Sequence, residues 1–563
     1  MIGHRRHAPD WVILCLACLA QFMVILDISI VNVALPSIQR DLHFSQSSLQ
    51  WVVNAYTLAF AGFLLLGGRA ADLYGRRRIF ILGLGLFSLA SLVGGFSQSS
   101  SMLTAARGAQ GLGGAVLSPA TLTILITTFS EGKARSRALG IWSAVAGAGG
   151  AAGALFGGLL TTYVSWRWIL FVNVPIGLVA IVMAVVFLNE GRGRSVERSL
   201  DIPGALTVTA GLALLVYAIV NTTSHPWTSA QTLVMLGAAL VLLVAFVVIE
   251  GRVARAPLMP LRLFRSRSLS GANLIMLLVG VAMFAMFFLV SLYLQLVLHY
   301  SALKAGLAFL PLSVTIVIGT QVASRLVDKL GPRPLLQVGL LISAGGFLWL
   351  GQISSASTYA GSVLVPGMLL TFGMGLSFTP LATAATAGVS RSEAGLASGL
   401  LNTSRQIGGS IGLAVLVTLA TDRSRAVLES ASRHGLRPSG SAVGDALTAG
   451  YARGFVVAAV VVAVAALSAF VVPSLRRSAP TSAVPTSERD EPSVDANDPI
   501  VGALVLAVAS RLIETADGSR PALLQAAASL VPDSGELSLH DRATLAAREV
   551  LRPLARQVMD RGR

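Results

Sequence analysis

Apolar residues in this chain run in long, nearly unbroken stretches instead of recurring at amphipathic spacing, and each stretch has the length of a bilayer-crossing helix. Fourteen such runs are predicted, at roughly 11–35, 49–69, 78–98, 102–128, 138–163, 168–188, 204–222, 230–250, 270–297, 305–327, 334–353, 359–386, 395–420 and 452–473. Strands are excluded, because an isolated sheet in lipid leaves its edges unpaired and these runs are helix-length. The pattern predicts an all-α polytopic membrane protein.

The polar breaks between runs set the orientation. Arg76–Arg78, Lys133/Arg135/Arg137, Arg192/Arg194/Arg198, the arginines of 252–267, Lys329/Arg333 and Arg476/Arg477 fall in alternate breaks. The opposite breaks carry little beyond Arg40, Arg167 and Lys304, so the first set is expected in the cytoplasm, with both termini. The long loop at 421–451 carries arginines on the other side, where long loops follow the charge rule poorly. Composition agrees: 54% of residues are apolar and 12% charged, as expected of a surface that faces lipid. The net charge of +16 sits in these loops, so it reports topology and not a nucleic-acid partner. Cys15 and Cys18, without His or acidic neighbours, read as small buried hydrophobes and not as a metal site. Arg5, Arg6 and the first run resemble a signal peptide, but no small-residue cleavage pattern follows, so that run is expected to remain as the first span.

The chain repeats itself. Gly68-Arg-Ala-Ala-Asp72-Leu-Tyr-Gly75-Arg76-Arg77-Arg78 after the second run is echoed by Ser324-Arg-Leu-Val-Asp328-Lys-Leu-Gly331-Pro-Arg333 after the tenth. Repeated halves around a midplane site are a recurrent transporter architecture. The expected organisation is a six-helix half (1–190), two linking helices with their loops (191–268), and a second six-helix half (269–475). A flexible Pro/Ser-rich linker (476–498) and a small cytoplasmic helical tail (499–563) follow; partner binding and a passive appendage are equally open for the tail.

Asp27 is the only acid deep in a predicted span, a placement that costs several kcal/mol unless the group is partnered, protonated or solvated. Arg107 in the fourth span is its candidate partner. Burial favours the neutral acid and a nearby guanidinium favours the carboxylate, so a change in their separation loads or releases a proton. Asp72 with Arg76 and Arg77, and Asp328 with Arg333, are placed to clasp helix ends at the cytoplasmic rim and act as gates. Arg405 lies too deep to snorkel and is expected to face the bundle interior. With Asn32, Asn54, Gln110, Gln295 and Asn402 it is a candidate for lining a substrate cavity, interhelical hydrogen bonding being the competing role. Tyr56, Phe284 and Phe287 are candidates for stacking on a substrate, with plain packing the stronger expectation for each.

Several stretches resemble the motifs of the major facilitator superfamily, specifically its fourteen-span drug:proton antiporters of the QacA/EmrB type. Leu26-Asp27-Ile-Ser29-Ile-Val-Asn32-Val-Ala-Leu-Pro36 is similar to the first-helix motif, with Ser29 where Thr is usual. Gly68 to Arg78 resembles the superfamily loop motif, Arg107 to Gly111 the Arg-x-x-Gln-Gly proton-transfer motif, and Asn402-x-x-Arg405-Gln406-x-Gly408-Gly409 the penultimate-helix signature. Ser165-Trp-Arg-Trp168 with Asn173-Val-Pro175-Ile-Gly177 matches the segment joining spans five and six. Gly149, Gly153, Gly157 and Gly158 are similar to the fifth-helix antiporter motif, with Ala154 in place of its proline. The likeness covers about 1–475. It implies two six-helix halves plus two central helices in the inner or plasma membrane, driven by a proton gradient without cofactor or metal. The expected activity is export of hydrophobic, neutral or monovalent cationic compounds in exchange for protons, with Asp27 and Arg107 coupling. A dedicated exporter or uptake carrier for one metabolite or lipid, or a membrane scaffold signalling through the tail, are the alternatives. No nucleotide loop, metal cluster or nucleophile constellation points to an enzyme.

Overall fold

The computed structural model describes residues 9–130, 132–188, 200–254, 257–387, 389, 393–433 and 440–473, and no strand occurs among them. Helices α1 (Asp10–Asp41), α2 (Trp51–Tyr74), α3 (Arg76–Gly95), α4 (Ser100–Thr128), α5 (Lys133–Tyr163) and α6 (Trp168–Phe187) come first. Then come α7 (Ile202–Asn221) and α8 (Ala230–Val253), followed by α9 (Arg267–Val297), α10 (Ala302–Leu330), α11 (Pro332–Leu350), α12 (Ala360–Thr386), α13 (Ala394–Arg433) and α14 (Ser441–Val471). Among the described residues, 12 helices are long and apolar enough to cross a membrane. The expected spans 138–163 and 395–420 fall in α5 and α13, which are not among the 12. At 31 and 40 residues, both are nonetheless longer than the roughly 30 Å hydrocarbon core. The linker and tail at 476–563, and Arg5, Arg6, Arg192, Arg194, Arg198 and Arg255, lie outside the described residues.

The helices sort into two packed groups. In the first, α1 lies against α4, α5 and α6, while α4 also packs on α2 and α3; in the second, α9 packs on α13 and α14, and α12 on α10 and α11. The groups meet along α5–α10 and α2–α13. The inserted helix α7 covers the α2–α13 seam, with Leu212, Val216 and Ile219 in one apolar cluster with Leu58 and Ala414. Its partner α8 presents Leu233, Val234, Leu240, Val241 and Val244 outward. An exposed apolar row of that kind belongs in lipid. Asp201, the N-cap of α7, and Glu250 near the end of α8 are both buried.

One end of the bundle, here called the basic face, carries the α2–α3, α4–α5 and α10–α11 connections with their arginines. The α2–α3 and α10–α11 turns each consist of one glycine, Gly75 at φ 103° and Gly331 at φ 79°. Side chains rarely adopt such angles. Part of the repeated Asp-x-x-Gly pattern is therefore a backbone requirement for reversing one helix into the next.

Candidate functional site

Asp27 and Arg107 meet in the middle of the first group, 0% and 2% exposed, with Arg107 Nη1 donating to Asp27 Oδ2 at 2.5 Å. The other carboxylate oxygen accepts from Gln110 Nε2 at 2.7 Å and Asn173 Nδ2 at 3.0 Å. Arg107 is held in turn by Val52 O at 3.0 Å and Gln110 Oε1 at 2.6 Å, and its guanidinium lies 4.5 Å from the centre of the Tyr56 ring. Ser91 Oγ accepts from both Gln110 and Asn173 and donates to Leu170 O. The pair thus ties α1 to α2, α3, α4 and α6. Three charge-assisted or amide donors on one carboxylate offset the cost of burying it in a dry core.

Neutral residues complete this network, and the charge pattern gives no sign of them. Ser91 is one serine among many. Asn173 falls within a recognised motif segment without a role attached. Tyr56 backs Arg107 and is absent from the cavity lining, so it is not placed to stack on a substrate. Gly111 permits the approach of α4 to α2, since a Cβ there would overlap the Tyr56 carbonyl.

A separate cavity of about 1160 Å³ lies between the two groups and reaches the basic face at Arg69, Asp72 and Arg262. Asn32, Asn402 and Arg405 line it, as do Phe284 and Phe287. Three other residues expected there do not. Gln110 is taken up by the Asp27 network; Asn54 is buried beside Gln50 on α2; Gln295 is a strut whose Nε2 donates to Val33 O at 2.9 Å. Asp27 is also absent from the lining. On α1 the lining positions are 21, 25, 28, 29, 32 and 33, whereas Asp27 points toward α4 and α6. The Asp27–Arg107 pair and the cavity are back to back on one helix.

The α5 glycines set that arrangement. A Cβ at Gly153 would lie 2.6 Å from Ser29 Cβ and one at Gly157 2.7 Å from Ile30 O, while Gly149 faces Phe22 and Ile25. Gly158 faces α10 instead, where a Cβ would lie 2.7 Å from Leu303 Cα. So α5 links α1 to the second group through small-residue contacts. Ser29 Oγ donates to Gly150 O at 2.6 Å, the carbonyl that a proline at 154 would leave without its helical N–H. The variant Ala154→Pro is therefore expected to fold, whereas Ser29→Ala with Ala154→Pro is expected to unfold at a distinctly lower temperature. Thermal unfolding of the two purified variants tests this.

At the basic face, Arg77 donates to Ala184 O at 3.3 Å and Val185 O at 2.6 Å, clasping the end of α6. Gly68 and Asp72 line the cavity rim, and neither Arg76 nor Arg77 forms an ion pair with Asp72. Asp328 is exposed, and Arg333 stacks on Phe470 at 4.6 Å instead of pairing with it. On the opposite face the two groups are fastened: Ser291 Oγ donates to Asn32 O at 2.6 Å, and Leu303 N to Thr162 Oγ1 at 3.1 Å.

Comparison with known proteins gives a consistent picture. The family model described as Major Facilitator Superfamily matches residues 17–413. The cephamycin export protein CmcT of Amycolatopsis lactamdurans is 48% identical over 75% of this chain and 87% of its own length. A puromycin resistance protein of Streptomyces alboniger is 40% identical over 77% of this chain and 87% of its own. Among solved structures, a bacterial homolog of the human lysosomal transporter Spinster, inward-facing and unoccupied, superposes with a TM-score of 0.60 at 18% identity, over 84% of this chain and 98% of that one.

Proposed function

The chain belongs to the Major Facilitator Superfamily, and on that premise we propose that it is a secondary active exporter that moves hydrophobic small molecules out of the cell in exchange for protons. The observation that carries this reading is the placement of two sites on one helix: a large cavity on one side of α1, and on the other the buried Asp27–Arg107 pair. The export and resistance activities in the names of the two relatives support the direction of transport. The basic face is the cytoplasmic one by the charge rule. A cavity that reaches that face, with the groups fastened on the other, is then an inward-open state.

Alternating access follows from the two six-helix halves, α1–α6 and α9–α14, rocking about the α5–α10 and α2–α13 seams. Arg107 grips Asp27 in this arrangement, and the coupling step in this reading is a rearrangement of α1 that draws the two apart as a proton is exchanged. Because Asp27 does not face the cavity, proton and substrate exclude one another through the position of α1 and not by contact. The Arg77 clasp on α6 and the Asp72 rim are the gate of the first half.

The test is accumulation of hydrophobic antibiotics by susceptible bacteria expressing the protein. Lower accumulation that is abolished by a protonophore is expected. Raised accumulation would indicate uptake, and lowered accumulation indifferent to the protonophore would remove proton coupling.

A further inference from the structure

We infer that the cavity selects hydrophobic molecules that carry an anionic group, a carboxylate above all, and that Arg405 binds that group; this rests on the export reading above. A cationic or neutral preference would follow if Asp27 were the charge that a substrate meets, but Asp27 faces away from the cavity. The acid in the lining is Asp72, at the rim beside Arg69. Deeper in, the charge is Arg405 on α13, and its one side-chain partner among the described residues is the neutral Asn402 Oδ1 at 2.8 Å.

Beside it, Gln406 lines the cavity, 1% exposed, with neither its amide nitrogen nor its amide oxygen hydrogen-bonded. A guanidinium cannot shed its charge, so one left unpaired away from bulk water is costly, and an entering anion relieves that cost. Its planar fork matches a carboxylate, and the Gln406 amide supplies a further donor. Phe284, Phe287 and Phe309 provide apolar wall for the rest of such a molecule. A cation in the same place would meet an unneutralised like charge.

The experiment measures binding of pyrenebutyrate, its uncharged amide and pyrenebutylamine to the purified full chain in phosphatidylcholine nanodiscs. The carboxylate is expected to bind at least about tenfold more tightly than the amide, with the amine weakest. In Arg405→Gln the carboxylate-to-amide ratio is expected to fall toward one. Arg405→Lys, which keeps the charge without the fork, is expected to retain a smaller preference. The ratio is taken within one preparation, so partial loss of folded protein does not move it. A ratio unchanged in Arg405→Gln, or an amine that binds more tightly than the carboxylate, would overturn the proposal. So would competition by added phosphatidylglycerol, which would make a lipid headgroup the occupant. The measurement needs no gradient: an intact ratio without gradient-driven transport would count against the export reading alone.

Discussion

Replacing Asp27 by asparagine is expected to reduce pH-gradient-driven movement of a hydrophobic probe in proteoliposomes to the level of protein-free vesicles, while probe binding to the cavity persists. Asparagine has nearly the shape of the protonated acid and cannot lose a proton, so it holds the site permanently in one charge state. Its carbonyl still accepts from Gln110 or Asn173, which preserves most of the local packing. What disappears, on the proposed mechanism, is the exchangeable proton and with it the making and breaking of the Arg107 contact. Binding should survive because positions 28, 29 and 32 of α1 face the cavity and Asp27 does not. Loss of both binding and transport would make Asp27 a substrate ligand instead. Gradient-driven movement that persists in the variant would remove it from coupling altogether.

The bundle is legible in the sequence because lipid demands helices, and helices long enough to cross it leave long apolar runs. The superfamily resemblance and the export reading follow from motifs spread through those runs. Asp27 and Arg107 stand out for the same energetic reason, since a charge in such a run needs a partner. Neutral polar residues carry no comparable signal: Asn32 and Asn54 look alike in sequence, yet one lines the cavity and the other is sealed within α2's packing. Which is which depends on helix rotation. Asp27 and Asn32 are five residues apart, about 140° around a helix, so the sequence does imply different faces. It does not say which face meets the cavity, because that is decided by where the α5 glycines seat on α1. The expected gate at Asp328 and Arg333 illustrates the same limit, since Arg333 finds an aromatic ring on a helix more than a hundred residues away.

Arg107, the partner of Asp27, carries the second large effect. Arg107→Gln is expected to destabilise the protein by about 3–5 kcal/mol, the usual consequence of leaving one charge of a buried pair without the other. It also withdraws the donor to Val52 O and the cation over Tyr56. The double variant Asp27→Asn with Arg107→Gln buries no uncompensated charge, so most of that stability should return. Its gradient-driven transport should not, because nothing remains to titrate. Thermal unfolding and vesicle transport on the same three preparations separate the two quantities. Should the double variant unfold as readily as the single one, the cost of losing Arg107 would lie in the Val52 and Tyr56 contacts, and the ion pair would be packing and not the coupling device. Recovery of stability without recovery of transport is the combination that a proton-coupled pair requires, because a pair kept only for packing has no reason to separate the two.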